Sequence, residues 1–119
     1  MIKILLIDDE IEIRGFLQDY FEDRNYQVFV ASDGLEGLKL FEKENFDIIV
    51  CDMLMPNMIG IEFLRRVKEK KPAQRVIMMT GVREPSMMEK AQKLGCVHYL
   101  MKPVQLTDLE AKVAECLAS

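Results

Sequence analysis

No stretch of this 119-residue sequence comes near the roughly 20 consecutive apolar residues that a membrane-spanning helix needs. Met1 leads straight into a strand-like run, which leaves no room for a signal peptide. Basic residues are not in excess: 16 Lys and Arg face 20 Asp and Glu, for a formal net charge of -4. Direct binding to nucleic acid wants a concentrated basic face, so that class of partner is not expected. Cysteine is scarce. Cys51, Cys96 and Cys116 are odd in number, irregular in spacing and form no Cys-x-x-Cys pair, which argues against a disulfide framework or a zinc site and for a reducing cytoplasm. Packing is the expected role of Cys51 and Cys96. The one histidine, His98, is expected to point away from the core. There is no internal repeat, linker or low-complexity segment, and the chain ends with its last helix, so no output module is expected.

What is present is an ordinary globular balance, 50% hydrophobic and 30% charged. One domain of this length buries roughly two-thirds of the surface its unfolded chain exposes, enough for a core without staples. Five short apolar runs carry the pattern: Ile2–Ile7, Gln27–Ala31, Asp47–Asp52, Val76–Thr80 and Val97–Met101. Each is too short for a helix and bounded by turn signals, as strands buried on both faces are.

Helical spacing fills the gaps. Ile13, Leu17, Tyr20, Phe21 and Arg24 carry a first helix toward Asn25, with Asp9 and Glu12 read as its capping pair. Asp33 and Glu36 repeat that pattern before Leu35, Leu38 and Phe41. Ile61, Leu64, Val67 and Lys68 set a third helix, which Pro72 stops. Pro85 suits the first turn of a fourth, with Met87, Met88, Ala91 and Leu94 inward and Gly95 closing it. Thr107 and Glu110 read as a capping box for a fifth, with Leu106, Leu109, Val113 and Leu117 inward. The methionines from Met53 to Met101 read mostly as core filler, with partner docking as the other role open to them. Strict alternation of strand and helix implies right-handed crossovers, hence a parallel sheet with helices on both faces.

Parallel strands bring their carboxyl ends together, where ligands sit in open sheets. Asp8 and Asp9 follow the first strand, Asp52 ends the third, Thr80 ends the fourth and Lys102 follows the fifth. Three carboxylates in one place repel one another, and a hard divalent cation relieves that. Magnesium takes oxygen ligands and commonly binds one or two carboxylates with phosphate oxygens. A hydroxyl and an ammonium at the rim suit a phosphoryl group, and carboxylates serve as covalent nucleophiles.

Taken in order, Asp8-Asp9, Asp52 with Met55-Pro56 and Gly60, Thr80-Gly81, and Lys102-Pro103 resemble the receiver domain of two-component response regulators, over essentially the whole chain. The resemblance implies a flavodoxin-like (βα)5 fold with strand order 2-1-3-4-5, and a single receiver domain over residues 1–119 with no effector domain, free-standing or cut from a longer protein. It implies a phosphorylation-controlled switch rather than an enzyme. Asp52 would accept a phosphoryl group from a sensor histidine kinase or a histidine phosphotransfer protein. Asp9 would ligate Mg2+ directly and Asp8 through water, with Asp52 and the Leu54 carbonyl as further ligands. Thr80 and Lys102 would hold the phosphoryl oxygens. Tyr99 would be the switch aromatic that turns when Thr80 moves, and a downstream protein or a missing effector domain would read the result. The Lys102–Pro103 bond is expected to be cis.

Some positions depart from the family's pattern. Ile59 stands where a small polar residue is usual, and Gly81 replaces the commoner alanine. Leu54 and Val82 place no acid or amide beside the site, so a long-lived phosphoryl group is expected. A magnesium-dependent phosphatase using Asp52 is the competing reading. It would want a second acid two residues after the nucleophile, where Leu54 stands. A degenerate receiver that binds partners without phosphorylation fits poorly with the intact acids.

Overall fold

Ten elements alternate along the chain in a computed structural model that describes every residue except Pro56, Val82 and Ser119. They are β1 (Lys3–Ile7), α1 (Ile11–Glu22), β2 (Gln27–Ala31), α2 (Gly34–Lys43), β3 (Ile48–Asp52), α3 (Gly60–Lys70), β4 (Val76–Thr80), α4 (Pro85–Lys93), β5 (His98–Met101) and α5 (Leu106–Ala118). The five strands form one parallel sheet in the order β2-β1-β3-β4-β5. This is the doubly wound, flavodoxin-like arrangement expected from the alternation and the family resemblance.

Side-chain alternation splits the core in two. Leu5, Ile7, Ile49, Cys51, Val76 and Met78 face Phe41 of α2, Phe63, Leu64 and Val67 of α3, and Ala91 of α4. Ile4, Leu6, Ile48, Val50, Ile77 and Met79 face Leu17 and Phe21 of α1, and Leu109, Val113 and Cys116 of α5. The three central strands β1, β3 and β4 are therefore apolar on both sides, the condition a covered parallel sheet imposes. Met53, Met55, Met58, Met78 and Met79 are all buried, which makes them core, as expected of most of the methionines.

Local signals decide where the helices begin. Asp33 caps α2: its carboxylate accepts the Glu36 N–H at 2.8 Å. Pro85 opens α4, and Gly95 follows its end at φ +96°, a conformation costly for any residue with a Cβ. Two expected caps do not form. The N-cap of α1 is Glu10, with no side-chain cap bond, and the Asp9–Glu12 pair is displaced because Asp8 Oδ1 takes the Glu10 N–H instead, at 2.9 Å. Helix α5 starts at Leu106, so Thr107 already lies inside it. Glu110 turns across to α1, accepting from the Tyr20 hydroxyl at 2.8 Å and from Arg24 Nε at 3.2 Å.

One further expectation is corrected. Leu35 is exposed on the first turn of α2. His98, on β5, is partly buried beside α5, with Nε2 3.8 Å from Glu115. Among the described residues no helix is long and apolar enough to cross a membrane, and all three cysteines are free.

Candidate functional site

Four of the five strand ends, those of β1, β3, β4 and β5, deliver the expected residues to one edge of the sheet. Asp52 is the last residue of β3 and only 5% exposed. Asp8, fully buried, follows β1 and is fixed there by its own N–H, which donates to Ala31 O at 3.2 Å. Lys102 follows β5, and its N–H donates to Thr80 O at 2.7 Å, so the ends of β4 and β5 are tied together. The Lys102–Pro103 peptide is cis, as expected.

Charge converges on Lys102. Its Nζ donates to Asp8 Oδ2 at 2.9 Å, Asp52 Oδ2 at 3.1 Å and Glu10 Oε1 at 3.1 Å. Burial works against the charged ammonium, but the hydrogen bond to Asp8 and the charges of Asp52 and Asp8 outweigh it and hold Lys102 above its ordinary range. Burial pushes the Asp52 carboxyl up to about 6; Lys102 opposes that rise, while the charges of Asp8 and Asp9 add to it. A carboxyl raised this far marks a group kept from water and facing like charge.

One carboxylate oxygen each from Asp8, Glu10 and Asp52 lie within 4.8 Å of one another. An all-oxygen, multiply anionic donor set of this size fits a hard divalent cation. Asp9, the sequence-based choice for a direct ligand, has an exposed side chain outside that trio, although its charge acts on Asp52. Glu10 is the residue that sequence reasoning passed over. It stood in the Asp-Asp-Glu run, but nothing local says that the helix would start after it and leave its side chain without a cap bond.

The loop after β3 is held on both sides. Gly60 N–H donates to Met53 O, and a Cβ at Gly60 would lie 2.7 Å from Asp52 O and 2.8 Å from Met53 Cα. Only glycine permits that approach. Asn57, at φ +70°, donates from its side-chain amide to Asp33 Oδ2 at 2.8 Å, which ties the loop to the start of α2. Leu54, two residues past Asp52, has its side chain half in solvent. Val82 and Pro56 lie outside the described residues.

Thr80, at the end of β4, is buried, and its side chain shares a hydrogen bond with that of Tyr99. Burial pushes the Tyr99 phenol up, against the effect of that bond. On the other side of the site, Lys102 borders an apolar cleft of about 210 Å³ between α1 and the start of α5, lined by Ile13, Phe16, Leu17, Met79, Pro103 and Leu106.

Comparison with known proteins agrees with this geometry. The family model for the response regulator receiver domain matches residues 4–114. Sporulation initiation phosphotransferase F of Bacillus subtilis is 36% identical over 115 residues, covering 97% of this chain and 93% of that protein. Other relatives, among them transcriptional regulatory proteins, are longer, and the chain covers only 26% of some of them. A CheY-like receiver domain protein from Methanospirillum hungatei superposes with a TM-score of 0.97 at 31% identity, covering 99% of this chain and 94% of that one. The regulator TrrA of Thermotoga maritima, solved in complex with Mg2+ and beryllofluoride, superposes with a TM-score of 0.88 at 28% identity, covering 98% of this chain and 100% of that one.

Proposed function

This chain belongs to the response regulator receiver domain family, and from that premise we propose that it is a signalling switch thrown by phosphorylation of Asp52, the donor being a histidine kinase or a histidine phosphotransfer protein. The observation that carries the reading is a buried carboxylate at the end of the central strand, sharing one ammonium with Asp8. The word phosphotransferase in the name of the Bacillus relative supports it, as does the beryllofluoride complex of the Thermotoga relative.

In this reading an Asp52 carboxylate oxygen attacks the donor phosphorus. The phosphorus–nitrogen bond breaks, and the imidazole leaves with the electron pair. Lys102 offers its positive charge and Thr80 its hydroxyl to the phosphoryl oxygens. Asp8, Asp9, Asp52 and the Leu54 carbonyl would hold a magnesium ion, with Glu10 close by. Such an ion, when bound, screens the repulsion between the carboxylates and the incoming phosphate. The apolar cleft beside Lys102 gives a protein donor a surface to press against while its imidazole reaches Asp52.

The new group carries about -1.5 to -2 charges and fresh acceptors, set against the one charge that the carboxylate gives up. Thr80 then exchanges its bond with Tyr99 for one with the phosphoryl group. The freed ring turns, and the surface of α4, β5 and α5 changes for a protein that reads it. The free thiols suit a cytoplasmic setting.

Incubation with Mg2+ and acetyl phosphate tests this. The intact mass should rise by one phosphoryl group in the native protein and stay unchanged in Asp52→Asn. Continuous release of phosphate without an adduct would favour a phosphatase instead, and no reaction at all would refute the phosphoacceptor role. The adduct should be long-lived, because the Leu54 side chain offers no polar group to guide an attacking water. A lifetime of seconds, followed by mass spectrometry, would exclude that.

A further inference from the structure

An ammonium has three N–H bonds and no acceptor, and Lys102 directs them at three carboxylates with different futures. Asp8 and Asp52 are buried and, in the reading above, engage a divalent cation and a phosphoryl group. A cation at Asp8 repels Lys102. Phosphorylation turns the Asp52 carboxylate into an acyl phosphate, so the negative charge that Lys102 meets at Asp52 Oδ2 moves outward to the phosphoryl oxygens and the ammonium must be aimed there instead. Two of the three partners of Lys102 are thus taken over when the switch is thrown.

Glu10 is the third: one of its oxygens lies with those of Asp8 and Asp52 in the acidic trio, but the ligands proposed above, Asp8, Asp9, Asp52 and the Leu54 carbonyl, do not include it. Its backbone is fixed by the N–H bond to Asp8 Oδ1. Its side chain makes no helix-cap bond, so its one described polar contact is Lys102, at 3.1 Å. The Glu10 side chain is 58% exposed against 13% for Lys102, which puts Glu10 at the mouth of the site and the ammonium inside it. We propose that Glu10 is the positioning residue for Lys102: its carboxylate keeps the ammonium turned toward Asp52 after the other two partners have been diverted. The stem of a lysine is long and freely rotating, and an anchor on the far side of the ammonium narrows where it can point. This rests on the phosphoacceptor reading, and it gives Glu10 no role in binding the metal or in bond making.

Capture of beryllofluoride, a phosphoryl mimic, by the full chain at saturating Mg2+ tests the proposal in a double-mutant cycle. Wild type, Glu10→Gln, Lys102→Met and the double variant are compared by calorimetric titration, with the Mg2+ affinity of each measured separately. Glu10→Gln should weaken beryllofluoride capture about threefold to fivefold, the scale of a half-exposed ion pair. The same change should have little effect when residue 102 is methionine. Equal losses in both backgrounds would overturn the proposal, as would no loss in Glu10→Gln alone. If Lys102→Met captures too weakly to titrate, nitrogen-15 NMR of the Lys102 ammonium decides. Its signal in the wild-type complex should broaden or vanish in Glu10→Gln, and an unchanged signal overturns the proposal. Failure of the wild type to capture beryllofluoride is a separate result, which removes the phosphoacceptor reading and this inference together.

Discussion

At the scale of single residues, Asp52 holds a charge that the fold would rather not carry. Its folded value is raised to about 6, against about 3.9 for an unperturbed aspartate. Between these values the folded chain binds the proton more tightly than the unfolded chain. The stabilisation that protonation provides is complete below about pH 4 and is lost as pH rises through 6. Asp52→Asn, which cannot ionise, should therefore exceed the native protein in stability by on the order of 2 kcal/mol at pH 7.5 in EDTA. Urea melts should show that gap closing by pH 4. A variant that is weaker at pH 7.5 would contradict the sign. Cys51, next door, stays a thiol: burial and then the charges of Asp52 and Asp8 push it well up. Its proximity to Asp52 therefore adds no thiolate to the site.

At the scale of elements, glycines report how tightly each loop is held. Gly15 lies within α1, and a Cβ there would meet nothing within 4 Å. Gly15→Ala should raise stability by about 0.5–1 kcal/mol, because alanine loses less backbone freedom in a helix. Gly60 is the opposite case. A Cβ there collides with the backbone of Asp52 and Met53, which cannot swing aside as a side chain does. Gly60→Ala should cost about 1–3 kcal/mol and also weaken Mg2+ binding, since the loop it displaces carries Leu54. Denaturant melts and a Mg2+ titration of the two variants would separate these effects, and a Gly60→Ala protein with native affinity would mean that the loop carries no ligand. Asp33 joins elements in another way. It caps α2 with one oxygen and takes the Asn57 amide with the other, so both amides hold its carboxyl below the usual range.

At the scale of the whole molecule, the site exists only because the sheet is closed on both faces. No single element holds two of the three carboxylates and the lysine. They meet because β1, β3 and β5 point the same way. Occupying the site should then stabilise the entire domain. With Mg2+ and beryllofluoride at 100 times the dissociation constant, linkage gives about 2.7 kcal/mol. For a chain of this size that amounts to a rise in melting temperature on the order of 10 °C. Thermal unfolding followed by circular dichroism should show this rise in the native protein and none in Asp52→Asn. A rise of equal size in both would place the binding elsewhere.

The alternation of ten elements, the parallel sheet, the cap at Asp33, and the convergence of Asp8, Asp52, Thr80 and Lys102 on one edge were all legible in the residues alone. Those follow from short-range periodicity and from where apolar runs stop, and both are written locally in the chain. Packing in three dimensions was needed to show that α1 starts after Glu10, that Glu110 reaches α1 instead of capping α5, that His98 lies against α5, and that Glu10 joins Asp8 and Asp52 around Lys102. Each of these is a choice of partner for a polar side chain. Glu10 and Lys102 are 92 residues apart, and a flexible charged side chain goes to the nearest unmet opposite charge in space, which no spacing along the chain records.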